Sequence, residues 1–277
     1  MVAESFVPPS SDIRLLVLDI DGTISGESNQ ITPAVLETLN RVRHQGIDVA
    51  IATGRMYRSA VRFHQEIQAS MPLSTYQGAL IRQPEDGQTH RHWLVDTVLA
   101  QKLLDAYADY PLAIHIYIDD QLYVKEMNPL SQAYAERSQV PAQLFSQYPD
   151  PQSFRATKIL AMTEDTDLID ELTIIIQAQF PADQLYFTRS TPTFLEATHA
   201  AVNKGSAVKY LAEGMLGLTA DQVMTIGDSD NDIEMLQYAG IGVAMGNAKP
   251  EIKAIADWIA PSVEEDGVVA AIEEFIL

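Results

Sequence analysis

The segment Leu15-Leu16-Val17-Leu18-Asp19-Ile20-Asp21-Gly22 constrains the fold more than any other part of the chain. Four consecutive apolar residues without polar alternation predict a short strand buried on both faces. That is the arrangement of a parallel sheet covered by helices on either side. The strand stops at a carboxylate, and Gly22 permits a sharp turn directly after it. Alternation in extended chain puts Asp19 and Asp21 on one side. A turn-rich stretch to Gln30 then leads to Thr32-Pro33, a cap and first-turn pair that opens a helix. Val35, Leu36, Leu39 and Val42 form its apolar stripe, and Gly46 ends it. Ile47 to Ala52 reads as the next strand, which completes a right-handed βαβ unit.

The same grammar returns near the C-terminus. A helix is expected over Ser206 to Met215, a strand over Val223 to Ile226 and a helix over Ile233 to Tyr238. Another strand follows over Ile241 to Ala244, and another helix over Pro250 to Ala256. The two ends of the chain therefore belong to one α/β layer structure. The middle is different. Strand-like pieces at Ala113-Ile118, Gln121-Val124, Ala156-Met162 and Gln184-Thr188 alternate with helical stretches at Thr97-Asp109 and Leu168-Phe180. Asp119-Asp120 suggests a hairpin. We expect residues 1–83 and 190–277 to form the core and residues 84–189 an inserted α+β domain. Pro84-Glu85-Asp86-Gly87 leads in, and Arg189-Ser190-Thr191-Pro192 leads out.

A chain of 277 residues accommodates two such units. No apolar run approaches the ~20 residues that span a bilayer. Met1 to Ser11 lack the basic and apolar regions of a secretory signal and read as a short, loosely held leader. There are no cysteines, which excludes disulfides and thiolate chemistry and suggests a cytoplasmic location. The net charge of −20 disfavours nucleic acid and anionic membranes as partners. It also repels an anionic substrate, so any phosphate site needs a local reversal of the field, for which a metal ion is the usual device.

Chemistry concentrates in four places. Asp19 and Asp21 can divide the work of nucleophile and general acid/base, although a strand ending in an Asp-Gly turn is also common. Thr53-Gly54-Arg55 follows a strand and offers a hydroxyl and backbone N–H groups to phosphate oxygens; the plain alternative is a strand-to-helix turn. Lys204, in Asn203-Lys204-Gly205-Ser206, precedes a helix, where a lone Lys is ordinarily a solvated charge. Gly227-Asp228-Ser229-Asp230-Asn231-Asp232 follows a strand with an oxygen density suited to a hard cation, or to a helix cap. A calcium loop of the EF-hand type fails, because Ile233 and Ala239 stand where Gly and Glu are required. Three of the four clusters follow predicted buried strands, so a parallel sheet would gather them at one edge.

In order, these four segments resemble the motifs of the haloacid dehalogenase-like hydrolases. The insert between the second and third resembles the type IIB cap of the Cof-type phosphatases. Gln77-Gly78-Ala79, Ala244-Met245-Gly246-Asn247-Ala248 and Glu265-Asp266-Gly267-Val268 extend the match to nearly the whole chain. The resemblance implies a Rossmann-like parallel-sheet core with an inserted α+β cap domain. It implies a phosphomonoester hydrolase acting on small phosphorylated metabolites, sugar phosphates foremost, with Mg²⁺ as cofactor and an aspartyl-phosphate intermediate. Asp19 would be the nucleophile and Asp21 the general acid/base, with a pKa raised by burial and neighbouring negative charge. Asp19, the Asp21 carbonyl and Asp228 would hold the metal. Thr53 and Lys204 would hold the phosphoryl group with Gly54, Arg55 and Asn231 nearby, and Asp232 would support Lys204 or the metal's water shell. The chain departs from the family at Gln77, commonly Asn, and at Asn203, commonly Ser or Asp; both are expected at the cap–core boundary. Tyr117, Tyr123, His115 and Lys125 are cap residues available to face the site, against the simpler reading as cap core or surface. Two alternatives stay open at this point: a phosphomutase on the same core and a non-catalytic sensor of phosphorylated ligands.

Overall fold

The computed structural model describes residues 12–145 and 155–277; the expected leader lies outside them. The chain opens with β1 (Leu15–Leu18), α1 (Pro33–His44), β2 (Asp48–Ile51), α2 (Tyr57–Ile67) and a small meander of β3 (Leu73–Thr75), β4 (Leu80–Arg82) and β5 (Thr89–His92). The insert contributes α3 (Thr97–Tyr107), β6 (Ala113–Ile118), β7 (Gln121–Val124), α4 (Pro129–Ser138) and β8 (Ala142–Leu144). It continues with β9 (Ala156–Met162), α5 (Thr166–Gln179), β10 (Leu185–Thr188) and β11 (Phe194–His199). The chain then returns through α6 (Lys204–Lys209), β12 (Val223–Gly227), α7 (Ile233–Tyr238), β13 (Ile241–Ala244), α8 (Pro250–Ile255), β14 (Trp258–Ile259) and α9 (Gly267–Phe275).

The core sheet runs β14-β13-β12-β1-β2, and every pairing in it is parallel. Its interior strand β1, between β12 and β2, is buried at all four positions, as the apolar run predicts. Leu16 and Leu18 enter one apolar cluster with Val35, Leu39 and Ile272, while Leu15 and Val17 enter another with Ala207, Val208 and Leu211. Successive side chains thus bury on opposite faces of the sheet, each covered by helices. Thr32 caps α1 through its side chain, with Pro33 in the first turn. The helix expected to reach Met215 is α-helical only to Lys209; a π-helical turn over Tyr210–Leu216 follows and ends at Gly217 in a left-handed conformation.

The second sheet runs β10-β11-β9-β6-β7-β8 and is antiparallel except for the β7–β8 pair. One face packs on α3 and α5 through Ile116, Ile159, Ala161, Leu103 and Leu172. The other face, with Tyr117, Leu160 and Met162, meets Met56, Tyr76 and Ala79 of the core. This is the inserted α+β cap, and its limits differ from those expected. Pro84 to Gly87 is the turn of the β4–β5 hairpin, closed by Gln83 and Gln88, so the way into the cap lies further on. At the other end β11, expected in the core beyond residue 189, pairs with β9 and β10 and belongs to the cap sheet. Its short mixed pattern carries no signature of which sheet it joins, because that is settled by pairing partners distant in sequence.

Candidate active site

The C-terminal ends of β1, β2 and β12 meet at one edge, as ligand sites in open parallel sheets do. Asp19 follows β1 and donates its backbone N–H to the Ile226 carbonyl of β12. One of its carboxylate oxygens lies 2.7 Å from Lys204 Nζ. Lys204 is fully buried at the start of α6 and also donates to Asp232 Oδ1 at 2.6 Å. The other oxygen of Asp232 accepts the backbone N–H groups of Asp228 and Ser229, both at 2.9 Å. Asp232 is therefore committed to the loop and to Lys204.

Asp19, Asp228 and Asp232 bring carboxylate oxygens within 4.8 Å of one another. Burial pushes Asp19 up to about 7, with Lys204 opposing and Asp232 and Asp21 adding to the rise. Asp228 is pushed up to about 8, first by burial and then by the charges of Asp232 and Asp19. Asp228 Oδ1 is buried without a partner, while Asn247 donates to Oδ2 at 3.1 Å and to the Gly22 carbonyl at 2.9 Å. A surplus of buried carboxylates with an unpaired oxygen is the donor set of a hard divalent cation. Gly22 has φ +78°, and a β-carbon there would lie 2.2 Å from Asp228 Oδ2, so only glycine lets these two loops approach. Asp230 stands outside the cluster, paired with Lys249 at 3.0 Å.

Asp21 differs from expectation. Its carboxylate is gripped by Arg55, with Nε on Oδ2 at 2.7 Å and Nη2 on Oδ1 at 2.6 Å. Arg137, in the last turn of cap helix α4, adds a contact at 3.2 Å. Burial pushes the Asp21 carboxyl up, but the Arg55 hydrogen bonds and charge, with Arg137, outweigh it and hold the group below the ordinary carboxylate value. The expected rise is thus reversed, because two cations reach Asp21 from positions that chain order does not reveal. Arg55 is correspondingly an ion-pair partner, with only Nη1 buried and unpaired. Asn29 joins the cap here, accepting from Arg55 Nη2 and donating to the Arg137 carbonyl.

A cavity of about 220 Å³ opens over this edge, with Asp19, Asp21, Thr53, Gly54, Arg55, Ser229 and Asn231 on the core side. Thr53 is buried, and its hydroxyl accepts the Arg55 N–H at 3.2 Å, leaving its own proton to donate. Asn231 lines the cavity, and its amide nitrogen donates to Gln77 Oε1 at 3.0 Å. The cap side is lined by Tyr134, Arg137, Lys158, Ser190, Phe194 and Glu196, with Ser138, Thr191 and Thr193. Tyr117, Tyr123, His115 and Lys125 do not line it. Tyr117 lies under Lys158, His115 bonds Ser131, Tyr123 packs near Phe145 and Lys125 lines a separate groove.

Lys158 and Glu196 escaped the sequence reading. Each is a lone charge in an apolar strand, Ala-Thr-Lys-Ile-Leu-Ala-Met and Phe-Leu-Glu-Ala-Thr-His, and that isolation is the signal available. Tyr134 and Arg137, on an exposed helix, have no such signal.

A sequence model of the haloacid dehalogenase-like hydrolases matches residues 16–272. The chain belongs to that family. A Bacillus subtilis relative, 5-amino-6-(5-phospho-D-ribitylamino)uracil phosphatase YitU, is 27% identical over 267 residues, covering 94% of this chain and 97% of its own. A haloacid dehalogenase-like hydrolase from Bacteroides thetaiotaomicron superposes with a TM-score of 0.82 at 26% identity, covering 95% of this chain and 100% of that one. A subclass IIB sugar phosphatase superposes equally well, with a TM-score of 0.82, at 22% identity, covering 95% of this chain and 98% of that one, and shows the shared fold. The Cof-type resemblance and the enzyme class read from the motifs hold: this is a haloacid dehalogenase-like phosphatase, with a parallel-sheet core and a cap.

Proposed function

We propose that this phosphatase hydrolyses monoesters of small hydroxylated metabolites, sugar phosphates foremost, through a phosphoryl group carried on Asp19, with Mg²⁺ as its metal. The seat of Asp19 carries the reading: a carboxylate 4% exposed, at the end of β1, paired to Lys204 and lining the cavity. Asp19 attacks phosphorus, forming the acyl phosphate as the ester P–O bond breaks. The leaving oxygen takes a proton from Asp21. Water then attacks phosphorus and gives its proton to Asp21, the Asp19–phosphate bond breaks, and inorganic phosphate leaves.

Each step brings anion against anion, at roughly 4 kcal/mol per unit pair at ~4 Å and an effective dielectric near 20. Lys204 offsets part of this. Asp19 and Asp232 raise its pKa against the cost of burial, so it is a permanent cation with a third N–H left for a phosphoryl oxygen. The Thr53 hydroxyl donates to another. Asp19, Asp228 and the Asp21 carbonyl would hold Mg²⁺, which supplies positive charge to the phosphoryl group and the attacking carboxylate. Asp21, held ionised by Arg55 and Arg137, is ready for the water-activating half of the cycle; protonating the leaving group requires that grip to loosen. We assign the chemistry to the core and the choice of leaving group to the cap, in a soluble cytoplasmic setting without nucleic acid or membrane partners.

The test is release of inorganic phosphate from p-nitrophenyl phosphate and from a panel of sugar phosphates, by wild type and Asp19→Asn, with Mg²⁺ and after chelation. Metal-dependent release by wild type and none by the variant support the reading. Wild type that transfers phosphate between sugar positions without releasing it is a mutase, and the reading fails.

A further inference from the structure

Among the polar groups that the cap presents to the cavity, the buried pair Lys158–Glu196 is charged and is not used by the proposed chemistry. Alternation along β9 puts Lys158 on the core-facing side with Leu160 and Met162, and alternation along β11 does the same for Glu196 with Phe194. Their ion pair is 2.8 Å long, and the residues are 2% and 1% exposed. Lys158 Nζ also donates to the Gly54 carbonyl at 2.7 Å, directly beside Thr53. Glu196 Oε2 accepts from Lys158 and, at 3.1 Å, from Gln77 Nε2; Oε1 accepts from the Ser190 hydroxyl.

The inventory of donors and acceptors is informative. An ammonium group has three N–H bonds, and two of those of Lys158 are spent. A carboxylate oxygen takes about two hydrogen bonds; Oε2 has both, whereas Oε1 has one. The pair thus leaves one charged donor and one charged acceptor, and both residues line the cavity. One donor and one acceptor side by side are the complement of a hydroxyl group, which both gives and receives a hydrogen bond. A carboxylate or second phosphate on the ligand would be repelled by Glu196, and an ammonium by Lys158.

We infer that Lys158 and Glu196 are specificity-determining residues that recognise a hydroxyl on the leaving group, close to the ester, and so favour polyol and sugar monoesters over bare alkyl or aryl ones. The inference rests on the phosphatase reading above and adds to it the pair that selects the leaving group. Gln77 belongs to the device. An ionised Glu196 can only accept, so Gln77 must turn its nitrogen toward it and its oxygen toward Asn231. The amide orientation of both residues is therefore dictated by the cap. Gln77 takes φ +63° to make this reach, a left-handed backbone held by the N–H it donates to the Thr53 carbonyl.

The experiment compares kcat/KM for two esters of similar size, glucose 6-phosphate and cyclohexylmethyl phosphate, with p-nitrophenyl phosphate as a third substrate. It uses wild type, Glu196→Gln and the double variant Lys158→Met/Glu196→Gln, which leaves no lone buried charge; thermal unfolding checks the fold of each. Wild type is expected to prefer glucose 6-phosphate over its hydroxyl-free analogue. The double variant is expected to lose at least about tenfold of that preference, roughly one hydrogen bond to a charged group. Because both residues touch the catalytic loops, all rates fall somewhat; the diagnostic is the ratio. Equal losses on the two esters, or a wild type indifferent to the hydroxyls, overturn the inference while Asp19-dependent release from p-nitrophenyl phosphate leaves the phosphatase reading intact. No metal-dependent release from any of the three overturns both.

Discussion

Two buried charge clusters face each other across the cavity, and they are built on opposite principles. In the core, one lysine serves several acids: Lys204 bridges Asp19 and Asp232, with Asp228 close behind. That cluster carries surplus negative charge, which adds to burial in raising the pKa values of Asp19 and Asp228. In the cap, one lysine faces one acid, and nearly every lone pair and proton is assigned. The unbalanced cluster suits groups that must change charge and bond during a reaction. The balanced pair suits a fixed template.

The largest effect is expected at Asp19. Asp19→Asn is expected to abolish turnover, by at least about 10³-fold in kcat, because the nucleophile itself is removed; phosphate-release assays would show it, and residual activity within tenfold would end the distinction. The cap pair is expected to act on stability instead. Lys158→Met alone strands Glu196 and is expected to cost about 3–5 kcal/mol, while the double variant with Glu196→Gln recovers most of that loss. Denaturant unfolding checks it; equal losses in the two variants would mean the pair is not coupled.

Metal and pH sharpen the contrast further. A carboxylate with a raised folded pKa contributes stability that is present below its ordinary value of 3.8 and lost as pH rises through the folded value, here about 7 for Asp19 and about 8 for Asp228. Asp21, held low by Arg55 and Arg137, runs the other way, and its contribution is lost on acidification. The metal-free protein is therefore expected to lose the Asp19 and Asp228 contribution as pH rises from the ordinary carboxylate value to about 8, with no further loss from these two groups above that. Mg²⁺ is expected to raise the melting temperature more at about pH 9 than at about pH 6, because binding releases protons. Calorimetry at both values tests this, and a stabilisation independent of pH would contradict it. The smallest effect belongs to Arg137, whose side chain is half exposed. Arg137→Ala is expected to change stability by less than about 1 kcal/mol and kcat/KM by a few-fold, through the loss of the cap's contact with Asp21. An unchanged kcat/KM would show that Arg137 does not act on the site.

Much of the core was readable before any coordinates. The apolar runs at β1, β12 and β13 and the cap at Thr32 are local signals, and the elements lie within a residue or two of their expected limits. The cap was legible as strands and helices but not at its edges. The β4–β5 hairpin and the exchange of β11 into the cap sheet depend on pairings that local sequence does not encode. The acidic clusters were legible because both directly follow buried strands whose ends a parallel sheet gathers at one edge. Their protonation behaviour was not, since it depends on cations delivered from elsewhere.

The apolar runs predict a parallel sheet between helix layers and an inserted second unit, with carboxylates and a hydroxyl gathered at one sheet edge; Lys204 joins them only through the motif resemblance. Buried strands announce themselves by continuous apolar runs, and parallel order sends all their ends the same way. What those groups meet depends on contacts between distant parts of the chain. Arg137 reaches Asp21 across 116 residues, Gln77 reaches Glu196 across 119, and Asn231 reaches Gln77 across 154. Hydrogen bonds and charge pairs act over a few ångströms of space and carry no trace along the chain, so the partners that tune this site exist only once the chain has folded.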